Sequence, residues 1–334
     1  MINIGVIGYG YWGPNLVRNF AANRDCTMAM VADFSAERCT AAQTACPGLI
    51  TCADPAELIA SPEIEAVAIA TPVDSHFELA LAALQAGKHV LIEKPITSTP
   101  EQAEILIAEA AARKLVLLVD HTFVYTGAVR KIREQVLSPE FGDIRYYDST
   151  RVNLGLFQHD VNVLWDLAVH DLSIMSYIID AIPVAVSATG HGLPGQPEYV
   201  AFLTVFFPDL IGHINVNWLS PVKLRKTLIG GTNQMIVYDD LESSEKVKVY
   251  DKGITITESP EEVRKLRISY RTGDMRSPKL DESEALGREI AHFLACIRGE
   301  ETPRTPGEAG LALVRILEAA NRSMASRGAP VPLR

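Results

Sequence analysis

Two clusters of side chains in this 334-residue chain are of the types that move protons and stabilise negative charge: Glu93-Lys94-Pro95, and Asp166 with His170 four residues later. Lys94 follows the apolar run Val90-Leu91-Ile92 and precedes a proline. That puts it at the end of a buried strand, where open α/β sheets bind ligands. An ammonium there can polarise a substrate oxygen or stabilise a developing alkoxide; taken alone, it reads equally well as a surface charge. On a helix, Asp166 and His170 share one face. A histidine oriented by a carboxylate suits removal of a hydroxyl proton as hydride leaves the same carbon. In isolation the two also read as a helical polar pair, or Asp166 as a capping carboxylate.

A third cluster, Gly8-Tyr9-Gly10-Tyr11-Trp12-Gly13, follows the apolar run at residues 2–7 and opens a helical pattern. Asp33 lies twenty positions after Gly13, at the end of a second apolar strand. This order matches the dinucleotide fingerprint: Gly8 for the tight turn, Gly10 for backbone approach to a pyrophosphate, Gly13 for helix–strand packing. The helix N-terminus favours the phosphate charge. Tyr11 and Trp12 lie inside the turn and join the cofactor candidates. A carboxylate at Asp33 accepts from ribose hydroxyls and repels the extra phosphate of NADP, so NAD is the expected cofactor. Arg38 lies close enough to complicate this, or is simply a solvated helix charge.

The elements that must position these residues read from hydrophobic period. Strands are predicted at 2–7, 28–32, 66–70, 90–92 and 115–119, and helices at 14–23, 35–46, 55–60, 74–87 and 100–114. Strands alternating with helices imply a parallel sheet with helices on both faces. After about residue 122 the rhythm changes. A helix at 126–137 precedes strand-like stretches at 144–153, 184–191, 199–207, 210–218, 223–229, 234–239 and 246–250, with one helix around 160–180 and two closing helices at 282–298 and 306–326. The expected fold is α/β plus α+β: a dinucleotide-binding domain at 1–120, then a domain at 121–334 with a large open antiparallel sheet, joined without a flexible linker.

A formal net charge of −10 argues against a broad basic face for nucleic acid. No apolar run approaches the roughly 20 residues that span a bilayer, and the N-terminus lacks a signal-peptide pattern. A cytoplasmic protein with no membrane partner is expected. The five cysteines (Cys26, Cys39, Cys46, Cys52 and Cys296) form no C-x-x-C pair and fit no zinc spacing, so no metal is expected and they read as buried small hydrophobes.

Read in order, the glycine turn, Ala70-Thr71-Pro72, Ser75-His76, Glu93-Lys94-Pro95 and the Asp166-to-His170 stretch resemble the Gfo/Idh/MocA oxidoreductase family over essentially the full length. The resemblance implies a Rossmann domain followed by an α+β domain whose open sheet supports a homodimer or homotetramer. It implies that Thr71, Pro72, His76 and Glu93 line the nicotinamide half of the site, that Lys94 is the active-site lysine, and that Asp166 and His170 are the acid–base pair with His170 as base. Members often carry a glycine-rich run before the aspartate, where this chain has Asn162-Val163-Leu164-Trp165; that leaves the shape of the sugar pocket open.

The segments Asp120-His121-Thr122-Phe123-Val124-Tyr125 and Arg151-Val152-Asn153-Leu154-Gly155, with the Trp165-Asp166 stretch, resemble the branch that oxidises C3 of a UDP-N-acetylglucosamine type of nucleotide sugar. A free sugar or inositol dehydrogenase, or an NAD-binding relative without catalysis, are the alternatives. Tyr125, Arg151, Asn153, His159 and Asn162, with Lys94 and His170, are the candidate contacts to a small-molecule sugar substrate, since amide and guanidinium groups suit hydroxyls and diphosphate. Trp12, Trp165 and Trp218 are core residues or rings that stack on a ligand.

Overall fold

The computed structural model describes residues 1–155, 161–251, 253–255, 269–271 and 273–333. The chain forms two compact units: residues 1–125 with 283–315, and residues 126–282 with 316–334.

In the first unit, β1 (Ile2–Ile7), β2 (Cys26–Ala32), β3 (Ile50–Cys52), β4 (Ala66–Ile69), β5 (His89–Glu93) and β6 (Leu117–Asp120) form one sheet in the order β3-β2-β1-β4-β5-β6. Every pair in it is parallel. The order reverses between β1 and β4, the switch point at which such sheets open a crevice for ligands. The helices are α1 (Gly13–Ala22), α2 (Ala36–Ala45), α3 (Pro55–Ala60), α4 (His76–Gln85) and α5 (Pro100–Arg113). Ser35, Asp54 and Thr99 cap α2, α3 and α5 by accepting from backbone amides, which starts each helix at a defined residue. The helix expected over 74–87 is instead a 3-10 turn, Val73–Ser75, running into α4.

The first unit is discontinuous in sequence. After the second unit the chain returns to the first, as α8 (Ala285–Ile297) and the start of α9 (Gly307–Ala325). Leu286, Ile290, Phe293 and Leu294 form an apolar stripe at helical spacing and bury in one cluster with Ile4, Val6, Leu16 and Phe20. Exposing that stripe would cost about 1.5–3 kcal/mol per large side chain. Between the two helices, Thr305 covers the outer edge of β6: the Val119 amide donates to the Thr305 carbonyl at 2.8 Å, and the Thr305 hydroxyl to the Val119 carbonyl at 2.7 Å.

The second unit contains α6 (Gly127–Val136), β7 (Ile144–Leu154), α7 (Val169–Ile178), β8 (Ala185–His191), β9 (Val200–Phe206), β10 (Ile211–Asn217), β11 (Leu219–Gly231), β12 (Met235–Asp239), β13 (Val247–Tyr250), β16 (Met275–Arg276) and β17 (Val331–Pro332). The nine strands pair in the order β16-β13-β12-β11-β7-β10-β9-β8-β17, all antiparallel except β7 with β10. The sheet is therefore mixed but mostly antiparallel. β14 (Gly253–Thr255) and β15 (Ser269–Arg271) form a separate ribbon. In β10, buried and less buried residues alternate, the mark of a sheet with one face packed. α7 buries Val169, Asp171, Leu172, Ser173, Ile174, Met175 and Ile178, which lie around most of its circumference. Among the described residues, no helix is long and apolar enough to cross a membrane.

Candidate active site

The first unit presents its chemistry at the carboxyl ends of its strands. Gly8 has φ +94°, and a Cβ there would lie 2.6 Å from the Ala70 carbonyl oxygen; at Gly13 it would lie 2.2 Å from the Gly8 carbonyl oxygen. Both glycines are required by the turn itself. Gly10 differs, because a Cβ would meet nothing nearer than the Arg38 guanidinium at 3.7 Å. The space beside Gly10 is thus an open cradle, and α1 starts with no side-chain cap on its first amides. That combination fits a pyrophosphate. The Asp33 carboxylate accepts from the Tyr9 amide at 2.7 Å and the Ser35 amide at 2.9 Å, tying the turn to the end of β2. Carboxylate oxygens accept more than one hydrogen bond each, so capacity remains for ribose hydroxyls. Arg38 Nη1 lies 3.6 Å from Asp33. Tyr11 is almost fully exposed, whereas Trp12 is half-buried and donates its indole N–H to Asp120 at 2.7 Å.

His76 is buried, with one ring nitrogen 2.8 Å from the Thr71 carbonyl oxygen and the other 2.8 Å from that of Pro95. Burial pushes its pKa down and the Lys94 charge adds to this, although the two carbonyls act the other way. His76 therefore acts as a clip between the loop after β4, with Thr71 and Pro72, and the loop after β5, with Lys94. Glu93 and Lys94 are half-buried at the end of β5, and Glu93 is the register partner of Asp120 on β6. Tyr125 is fully buried with its hydroxyl 3.2 Å from that of Thr305, so the structure places this substrate candidate inside the core.

In the second unit, the helix expected around 160–180 consists of a π turn, Leu164–Ala168, followed by α7. Asn162 starts it: its side-chain oxygen accepts from the Leu164 amide at 3.1 Å, and its amide nitrogen donates to Asn321 at 2.9 Å and Glu198 at 3.2 Å. Asn162 is thus a helix cap with its hydrogen-bonding capacity largely engaged. Asp166 lies in the π turn, a backbone irregularity frequent at functional sites. Its carboxylate accepts from the indole N–H of buried Trp218 at 2.9 Å. His170, half-buried, follows as the second residue of α7.

Arg151, another substrate candidate, is 3% exposed and donates to Asp171 at 2.5 Å. Its burial and this pairing place it in the core beneath α7. Asn153 is half-buried on β7, and His159 lies outside the described residues. Among the tryptophans, Trp165 is buried, and Trp218 holds a catalytic candidate, which its identity as a ring alone did not reveal. Among the described residues, no group of three His, Cys, Asp or Glu side chains is arranged to hold a metal.

Residues 2–121 match the model of an oxidoreductase family with an NAD-binding Rossmann fold, and residues 133–333 match that family's C-terminal alpha/beta domain. The chain belongs to the Gfo/Idh/MocA oxidoreductase family. Its Rossmann domain is accordingly an NAD-binding one. A UDP-N-acetylglucosamine 3-dehydrogenase of Acidithiobacillus ferrooxidans is 37% identical over 191 residues, 56% of this chain and 57% of that enzyme. The chain thus spans little more than half the length of that relative in the alignment. The solved structure of the Acidithiobacillus ferrooxidans 3-dehydrogenase GnnA superposes with a TM-score of 0.82 at 27% identity, covering 97% of this chain and 98% of that one. An inositol 2-dehydrogenase of Rhizobium meliloti is 23% identical over 98% of each chain.

Proposed function

We propose that this Gfo/Idh/MocA protein oxidises a secondary hydroxyl of a sugar to a ketone with NAD, and that the hydroxyl is C3 of a UDP-N-acetylglucosamine type of nucleotide sugar. The reading rests on Asp166, which Trp218 and the π turn hold one helical turn ahead of His170. The glycine turn and Asp33 would hold NAD, which would supply the hydride acceptor. His170 takes the hydroxyl proton, and the Lys94 ammonium stabilises the oxygen as it becomes a carbonyl. Thr71, Pro72 and Glu93 would border the nicotinamide, with His76 holding the loops after β4 and β5. Asn153 and His159 remain proposed sugar contacts. Arg151, Tyr125 and Asn162 are assigned structural roles instead, because the structure gives their polar groups partners within the fold.

The 3-dehydrogenase relative supports the nucleotide sugar. The inositol dehydrogenase that aligns over nearly the full length favours a second reading, a cyclitol substrate. A panel of UDP-sugars, free sugars and inositols, followed by NADH absorbance, separates them: turnover only with inositols or free sugars overturns the nucleotide-sugar reading. His170→Asn and Lys94→Ala should each keep NAD binding and lose about 10² to 10⁴ in turnover. Unchanged rates in both variants overturn the acid–base assignment.

The face of the large sheet bearing Phe202, Ile211, His213, Asn215, Asp148 and Thr150 is proposed to pair with a second copy of the chain in a homodimer or homotetramer. Phe202 and Ile211 are each 45% exposed there. Phe202→Asp with Ile211→Asp should yield monomers by sedimentation. Five free thiols support a cytoplasmic setting.

A further inference from the structure

Helix α8 carries an acid into the interior of the Rossmann unit. Glu289 is fully buried, next to Asp120 at the end of β6 and Thr122 just beyond it. The donors around this pair can be counted. Trp12 gives its indole N–H to Asp120 Oδ2, and the Thr122 hydroxyl donates to Asp120 Oδ1. Among the described residues, neither Glu289 oxygen has a hydrogen-bond partner of normal geometry, and Thr122, whose hydroxyl donates to Asp120, offers only a weak counter-effect. The largest charged influences on Glu289 are Asp120 and Glu93, both acidic, and the phenol of Tyr125 lies within its electrostatic reach. A second carboxylate here would be stripped of water beside like charge, which is not sustainable without a proton. Burial, and after it the Asp120 charge, accordingly push the Glu289 pKa well above the ordinary carboxylate range, with Thr122 acting more weakly the other way.

We propose that Glu289 is a neutral carboxylic acid donating its O–H to Asp120, and that this acid–carboxylate pair positions the cofactor turn through Trp12. With the Glu289 proton in place, Asp120 accepts three hydrogen bonds, and its orientation is set by all three. Trp12 is the residue from which α1 starts. Fixing its indole fixes the first amides of the helix that face the pyrophosphate. Glu289 is a positioning residue: its proton stays where it is throughout turnover. The inference rests on the NAD-binding domain and is independent of which sugar is oxidised.

The test needs only the whole protein and NAD. In infrared difference spectra at pH 8, wild type should show the C=O band of a protonated carboxylic acid that Glu289→Gln lacks. Glu289→Leu removes the donor and should raise the Kd for NAD about ten-fold. Glu289→Gln keeps an N–H donor and should rescue binding to within about three-fold. No difference band between wild type and Glu289→Gln overturns the proposal. So does NAD binding by Glu289→Leu at wild-type affinity, or a loss in Glu289→Gln as large as in Glu289→Leu. If Glu289→Leu does not fold, the difference band and the Gln variant's affinity decide the matter alone.

Discussion

Trp218 donates its indole N–H to the Asp166 carboxylate across 2.9 Å, and the backbone of Trp218 is held on both sides, by the Tyr199 carbonyl at 3.0 Å and the Gly155 amide at 3.1 Å. The proposed catalytic carboxylate is therefore oriented by a residue with no acid–base chemistry of its own. Hydrogen bonds to charged groups contribute about 1.5–3 kcal/mol. Trp218→Phe should lower turnover about ten- to hundred-fold while the Kd for NAD stays at the wild-type value. Steady-state kinetics with a cofactor titration checks this; wild-type turnover would show that Asp166 needs no such support.

The two glycines at the ends of the cofactor turn should separate from the one in its middle. Gly13→Ala drives a Cβ to 2.2 Å from a carbonyl oxygen, so it should lower the melting temperature sharply. Gly10→Ala has room and should melt near wild type, yet bind NAD about ten-fold or more weakly, since its methyl group occupies the space left for phosphate. Equal effects on stability would contradict the distinction.

Arg151 and Asp171 form a buried ion pair, each side chain 4% exposed. Removing one partner leaves an uncompensated charge, at a cost of about 3–5 kcal/mol. Arg151→Met should be strongly destabilised in denaturant unfolding, and Arg151→Met with Asp171→Leu should recover much of the loss. A variant of normal stability with a raised KM for substrate would instead return Arg151 to the substrate site.

His121 is buried, and among the described residues neither ring nitrogen has a hydrogen-bond partner. Burial, with the Lys94 charge adding to it, pushes its pKa down to about 3 from 6.5. The unfolded chain then binds a proton that the folded chain does not. Stability from this group is complete above pH 6.5 and lost as pH falls toward 3, with a slope of up to about 1.4 kcal/mol per pH unit. His121→Phe should flatten the decline in melting temperature over that window; an unchanged decline would assign it to other groups.

The Rossmann half was legible because its signals are local. Gly8, Gly10 and Gly13 sit at fixed offsets between a strand and a helix, and Asp33 ends the next strand, so spacing alone specifies their arrangement. In the second unit the hydrophobic period located the main strands, but not that β7 and β10 run parallel, since pairing partners far apart in sequence leave no periodic trace. The sequence likewise placed Arg151 and Tyr125 among the substrate contacts on residue type. Packing turned both inward: Arg151 reaches Asp171 across twenty positions of sequence, and Tyr125 reaches Thr305 across 180.

By itself, then, the sequence determined the dinucleotide turn, the acidic residue that accompanies it, the succession of elements and the lysine, aspartate and histidine available for chemistry. Only the tertiary structure decided that Trp218 orients Asp166, that His76 clips two loops together, and that α8 returns to bring Glu289 next to Asp120, which Trp12 also contacts. The first set follows from backbone period and short-range sterics, which each segment carries within itself. The second depends on burial and strand register, which exist only once distant segments have excluded water from between them.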